Sequence, residues 1–171
     1  FQSHPAIDII CGNCRVFEDE TKTTRQVYRM KIGDSPSDTI LHRHINQPST
    51  FYKLDIVKEL GGVNESLNYV FDAELWFKYL AKYGQNNILL IDDVLSNFRW
   101  HNQSKSGINE FETFYDEEKN IQLYLAKKLK LPEFICEALF DDITDLHYKP
   151  GTEWTIDKLD KDYFYRFFAK K

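Results

Sequence analysis

The order of apolar and polar residues predicts a chain in which strands and helices alternate before a mainly helical C-terminal part. Apolar or alternating segments predict short strands over residues 7–11, 14–17, 26–30, 49–53, 87–91 and 94–100. Apolar residues at helical spacing predict helices over residues 37–42, 56–60, 72–83, 109–131, 133–146 and 157–169. Together these elements predict an α/β fold with a mixed sheet, flanking helices and a helical C-terminal tail.

Residues with strong positional preferences predict where these elements end. Gly12-Asn13 is expected to break the first apolar segment into two strands. Asp55 is expected to cap the helix over 56–60, which Gly61-Gly62 would stop in the left-handed conformation. Asp72 is expected to begin the most regular helix of the chain.

Composition narrows the class of protein. A chain of 171 residues with 42% hydrophobic and 15% aromatic residues has enough apolar material for one domain. Its net charge of −5 gives no electrostatic footprint for nucleic acid. No run approaches the ~18 apolar residues of a membrane span. Because residue 1 is a phenylalanine, we expect this chain to be a piece of a longer protein.

The cysteines favour a reducing compartment. An odd count of three, Cys11, Cys14 and Cys136, argues against a disulfide framework and predicts a cytoplasmic protein. Cys11 and Cys14 have redox-pair spacing but precede a strand instead of a helix, so we interpret them as small residues in or beside a strand. A thiol or zinc domain that combines them with His42 or His44 stays open as an alternative.

Four polar motifs follow one another in the middle of the chain, at residues 47–51, 61–67, 71–76 and 98–104. They read QPSTF, GGVNESL, FDAELW and FRWHNQS. Within the third, the apolar stripe places Asp72 on or beside the buried face of its helix. Burial raises the pKa of such a carboxyl, whereas a helix N-terminus lowers it, so Asp72 is a candidate general base. An ordinary N-cap aspartate is the alternative.

In order and spacing, this set resembles the acceptor-side half of family 2 nucleotide-sugar glycosyltransferases of the A-type fold. The resemblance covers roughly residues 4–120. It implies that residues 1–131 form the acceptor-side part of a glycosyltransferase domain, followed by a helical extension over 132–171. It also implies inverting transfer of a sugar from a nucleotide-sugar donor, expected to be UDP-linked, to a glycan or lipid-linked acceptor. A non-catalytic glycan- or protein-binding module of the same descent is the alternative.

The resemblance further implies roles for individual residues. Asp72 would be the catalytic base, and His101 would contribute to a site for Mn²⁺ or Mg²⁺. The implied substrate-binding residues are Gln47, Thr50, Glu65, Trp76, Arg99 and Ser104. Trp76 is also compatible with a core position and Glu65 with an exposed turn.

The part of the family that binds the nucleotide, with its D-x-D motif, has no counterpart in this sequence. We therefore expect the metal to bind only together with that N-terminal half, and the chain alone to be inactive. We also expect it to self-associate through exposed strands. The literal D-x-D at residues 160–162 lies in the tail, and we interpret it as a chance match.

The last segment combines aromatic and basic residues. Its aromatic residues are Tyr163, Phe164, Tyr165, Phe167 and Phe168. They occur on too many sides of a helix for one apolar face, which favours docking onto the domain. Peripheral binding at a membrane interface, where lipid-linked acceptors are found, is the alternative.

Overall fold

The computed structural model describes residues 1–42, 46–101, 111–140 and 148–170. The strands are β1 (Ile9–Glu18), β2 (Thr24–Tyr28), β3 (Thr50–Tyr52) and β4 (Ile88–Trp100). The helices are α1 (Pro36–Leu41), α2 (Leu54–Glu59), α3 (Phe71–Tyr83), α4 (Phe111–Lys128), α5 (Glu133–Phe140) and α6 (Lys161–Phe168). A short 3₁₀ helix, Gln47–Ser49, leads into β3.

The sheet is built around β1. β4 pairs with it in parallel along its whole length, from Ile9 opposite Ile88 to Glu18 opposite Trp100. On the other side, β3 pairs antiparallel with the first part of β1 and β2 antiparallel with the second part. The sheet therefore contains both kinds of pairing, and the expected mixed α/β class with flanking helices is confirmed.

Two expected strand breaks are wrong, because β1 and β4 each run without interruption. The register between them shifts around Asn13, so Gly12-Asn13 marks an irregularity within a strand and not its end. The Asn13 amide donates to the backbone oxygen of Asp92 at 2.8 Å, and its oxygen accepts from the Met30 N–H at 2.9 Å. These bonds satisfy a buried polar side chain in the middle of the sheet.

The helix starts also differ from expectation. Lys53 occupies the N-cap of α2, and Asp55 lies in its first turn. Val70 occupies the N-cap of α3, so Asp72 also lies in a first turn and is not a cap. The expected stop after α2 is confirmed, since Gly61 and Gly62 have φ values of 83° and 73°. The expected helix over 133–146 extends beyond the described residues.

The core surrounds α3, which is buried from Ala73 to Ala81. Trp76 and Tyr79 have no exposed surface, and they join residues of β1, α1 and α4 in one apolar cluster. The extension over 132–171 contributes to the same cluster through Ile135, Tyr148, Trp154, Phe164 and Phe168. The aromatic residues of the extension thus stabilise the domain that carries the candidate site.

The last helix packs against α1, which confirms that the tail docks onto the domain. The Tyr163 hydroxyl donates to the Asp38 carboxylate, and the backbone N–H of Asp160 donates to Ser37 Oγ at 2.8 Å. Asp160 is the N-cap of α6, where its carboxylate accepts from the N–H groups of Asp162 and Tyr163. This capping role supports the interpretation of the tail D-x-D as a chance match.

Helices capable of crossing a membrane were sought throughout the described part of the chain. None of its helices is both long enough and apolar enough.

Candidate functional site

Asp72 lies in the first turn of α3 with its side chain partly covered by protein. Its Oδ1 accepts a hydrogen bond from the N–H of Ala73 at 2.8 Å. Burial raises the pKa of the Asp72 carboxyl, and bonds from backbone N–H groups only partly oppose this effect. The expected partial desolvation of this carboxylate is therefore confirmed. A carboxylate with a raised pKa is a stronger proton acceptor than an exposed aspartate.

Tyr52 of β3 is the aromatic neighbour of Asp72. Burial raises the pKa of the Tyr52 hydroxyl, and the negative charge of Asp72 adds to the increase. The Tyr52 ring packs edge-to-face against Trp76, with ring centroids 6.4 Å apart. Trp76 follows Asp72 by one helical turn, so Tyr52 links β3 to the first turns of α3.

Trp76 was expected either in a substrate pocket or in the core, and it lies fully buried in the core. Its indole Nε1 has no hydrogen-bond partner within the described residues. Thr50, two residues before Tyr52, is half-buried and donates through Oγ1 to the backbone oxygen of Asn46 at 2.8 Å. Gln47 is exposed in the 3₁₀ helix, and Glu65 is exposed in the loop after α2.

Cys11 and Cys14 are both buried in β1 as free thiols, as the interpretation of small strand residues requires. Burial raises the pKa of the Cys11 thiol to about 11, so it is protonated at neutral pH. His42, a ligand in the alternative zinc site, packs edge-to-face against Phe167 instead. His44 lies outside the described residues, among which no three potential metal ligands cluster.

Arg99 and His101 lie at the far end of β4. The Arg99 side chain is 60% exposed, and its Nη1 is 3.7 Å from Asp19 Oδ1. His101 lines a surface pocket of about 190 Å³ together with Glu18, Asp19, Glu20 and Trp100. Ser104, the last expected substrate-binding residue, lies outside the described residues.

The structure thus divides the expected site residues between two places along β1. Thr50 pairs with Cys11, whereas Arg99 pairs with Phe17 six residues further on. At the usual rise per strand residue, about 20 Å of strand separates the two places. Asp72 belongs with Thr50 and Tyr52, and His101 belongs with Arg99.

A buried ion pair inside α3 was not foreseen from the sequence. Glu74 Oε2 and Lys78 Nζ are 3.0 Å apart, although both side chains are almost fully buried. Glu74 Oε1 accepts from the Tyr148 hydroxyl at 2.6 Å and from the Asn64 amide at 3.3 Å. Trp154 Nε1 in turn donates to Tyr148. The sequence signal for this network is an acidic and a basic residue four apart within the apolar stretch from Ala73 to Ala81.

Comparison of the chain with protein-family models, curated proteins and solved structures gives no match. The resemblance to family 2 glycosyltransferases therefore stays a prediction.

Proposed function

We propose that this chain is the acceptor-side part of an inverting glycosyltransferase that acts in the cytoplasm. The donor is a nucleotide sugar, such as a UDP-linked sugar, and the acceptor is a glycan or a lipid-linked saccharide. The observation that carries the proposal is the partly buried carboxylate of Asp72, which lies near Tyr52 and whose pKa is raised by burial. The order of the four polar motifs between Gln47 and Ser104 supports it.

Asp72 would act as the general base in a single displacement. Its carboxylate takes the proton of the acceptor hydroxyl as that oxygen bonds to the anomeric carbon. The bond between that carbon and the diphosphate oxygen breaks in the same step, which inverts the configuration. Because desolvation raises the pKa of Asp72, proton transfer to it at neutral pH is easier than to an exposed aspartate.

The described residues do not fit a Mn²⁺ or Mg²⁺ site by themselves. Such ions require several oxygen ligands in near-octahedral geometry, and no cluster of three ligands occurs in the described part of the chain. His101 is close enough to Asp19 for an electrostatic interaction, and these two residues would contribute at most part of a site. The remaining ligands would come from a nucleotide-binding half.

The test uses the complete protein, including any sequence that precedes Phe1. We expect Asp72→Asn to lower the rate of sugar transfer by roughly 10²–10⁴-fold, the usual contribution of a positioned general base. The matched control is Asp93→Asn, which changes an exposed aspartate of β4 and should leave the rate unchanged. Near-wild-type transfer by Asp72→Asn, with the protein folded, would refute the assignment.

A non-catalytic glycan- or protein-binding module is the second candidate. The strand length that separates Asp72 from Arg99 and His101 favours it, because a transferase must hold base and diphosphate around one sugar. The two candidates differ in one result. A binding module retains ligand affinity in the complete wild-type protein but turns over no nucleotide sugar.

A further inference from the structure

Three hydrogen bonds join α4 to the turn that immediately precedes α3. Glu117 Oε1 accepts from the N–H of Asn68 at 2.9 Å. Its Oε2 accepts from the N–H groups of Tyr69 and Val70 at 2.8 and 3.1 Å. Hydrogen bonds to a charged acceptor are stronger than neutral ones, so this contact fixes α4 beside the start of α3. Asp72 is two residues beyond Val70.

Exposed aromatic residues lie on both sides of this contact, next to Val70 on α3 and next to Glu117 on α4. Phe71 directly precedes Asp72 and is 37% exposed. Phe114 lies three residues before Glu117 on α4, so the two share one helix face, and it is also 37% exposed. Tyr115 is 46% exposed, and its ring packs edge-to-face on Phe114 with centroids 6.3 Å apart.

We propose that Phe71, Phe114 and Tyr115 form a saccharide-binding platform beside Asp72. The apolar C–H face of a pyranose ring packs on an aromatic ring, while its hydroxyl groups remain at the rim. A hydroxyl at that rim donates to the Asp72 carboxylate, which has spare acceptor capacity beyond its bond from Ala73. The identification of this saccharide as the acceptor sugar rests on the proposed function.

The size of the platform favours a sugar over a protein partner. An aromatic side chain buries about 150–250 Å² when it is fully covered. With about two fifths of each of the three side chains exposed, the platform offers roughly 200 Å² of surface for contact. A specific protein interface needs about 800 Å² on each partner. An area of this size suits one or two sugar rings, and the neighbouring carboxylate supplies the hydrogen bonds that a purely apolar ligand lacks.

The platform can be tested by binding alone, without sugar transfer. Saturation-transfer NMR on the purified chain would use cellotetraose, maltotetraose and chitotetraose as probes. We expect at least one to bind, and Phe114→Ala to weaken that binding by roughly three- to ten-fold, the effect of one aromatic contact. Phe134→Ala is the matched control, because Phe134 is 58% exposed but lies on α5, beyond the opposite end of α4.

Thermal unfolding of both variants establishes that they are folded. The platform is refuted if no tetrasaccharide binds the wild type, or if Phe114→Ala and Phe134→Ala bind equally well. Failure of the proposed function gives a different result. In that case the tetrasaccharide binds and Phe114→Ala weakens it, but the complete protein transfers no sugar.

Discussion

Replacing Lys78 by methionine would expose the energetic role of the buried ion pair in α3. The Lys78 ammonium is the charged partner of Glu74 Oε2 at 3.0 Å, although the contact is not an aligned hydrogen bond. Methionine keeps the unbranched shape of the side chain, so the substitution removes the charge with little loss of volume. Glu74 then remains as a buried carboxylate whose hydrogen bonds, among the described residues, come from Tyr148 and Asn64.

Removing one member of a buried ion pair typically costs about 3–5 kcal/mol, because the remaining charge is left without its counterion. For a protein of this length, each kcal/mol lowers the melting temperature by about 2–4 °C. We therefore expect Lys78→Met to unfold roughly 6–20 °C below the wild type at neutral pH. Glu74→Gln combined with Lys78→Met removes both charges, and it should recover most of that loss.

Thermal unfolding followed by circular dichroism measures both variants, and urea unfolding gives the corresponding free energies. Lys82→Met is the control, since Lys82 lies on the same helix as Lys78 but pairs near the surface with Glu59 of α2. Its effect should stay within about 1 kcal/mol. A Lys78→Met variant as stable as Lys82→Met, or a double variant no more stable than Lys78→Met, would contradict this role of the ion pair.

Three further predictions concern other parts of the fold. The pKa of Asp72 is raised in the folded protein, so ionising this carboxyl destabilises the fold. Stability is therefore lost as the pH rises from the ordinary aspartate pKa through the pKa of the folded protein. Asp72→Asn should therefore gain stability relative to the wild type across that interval in melting curves, and a relative loss would contradict this sign. The Tyr163 hydroxyl lowers the pKa of Asp38. The ionised Asp38 carboxyl therefore stabilises the fold above the ordinary aspartate pKa, and this contribution is lost as the pH falls through the lowered pKa of the folded protein. Tyr163→Phe should cost roughly 1.5–3 kcal/mol at pH 7 and less in acid, whereas a cost independent of pH would count against docking through this bond. Gly12→Ala places a Cβ 2.5 Å from Leu95 Cγ and should cost about 1–3 kcal/mol in urea unfolding; a neutral result would show that β4 shifts freely.

Local sequence pattern predicted the strand segments but not their continuity. Gly12-Asn13 and Asp92-Asp93 each look like a turn, because polar residues and glycine usually lie outside strands. In the structure these polar residues meet across the sheet, where Asn13 Nδ2 donates to Asp92 Oδ1 at 2.9 Å. The buried Asn13 amide thereby gains a hydrogen-bond partner within the sheet, so neither Asn13 nor Asp92 ends its strand. A contact between positions 79 residues apart has no local signal.

The candidate site was only partly predictable for the same reason. The apolar stripe of α3 was sufficient to infer that Asp72 is partly buried. The distance from Asp72 to His101 depends on the parallel pairing of β4 with β1, which periodicity does not reveal. Glu74 and Lys78 look like an ordinary surface pair in the sequence. In the structure both are buried, and Glu74 accepts a hydrogen bond from Tyr148 of the extension, 74 residues away in the sequence.

The role of Asp72 as general base is tested most directly by comparing its own titration with the pH dependence of transfer. Carbon-detected NMR of labelled aspartate carboxyls would follow Asp72 in the complete protein, and initial rates would be measured over the same pH range. We expect Asp72 to titrate above the ordinary aspartate value of about 4, and the rate to fall in acid at that same pKa. An Asp72 that titrates at or below the ordinary value, or an acid limb that persists unchanged in Asp72→Asn, would contradict the assignment.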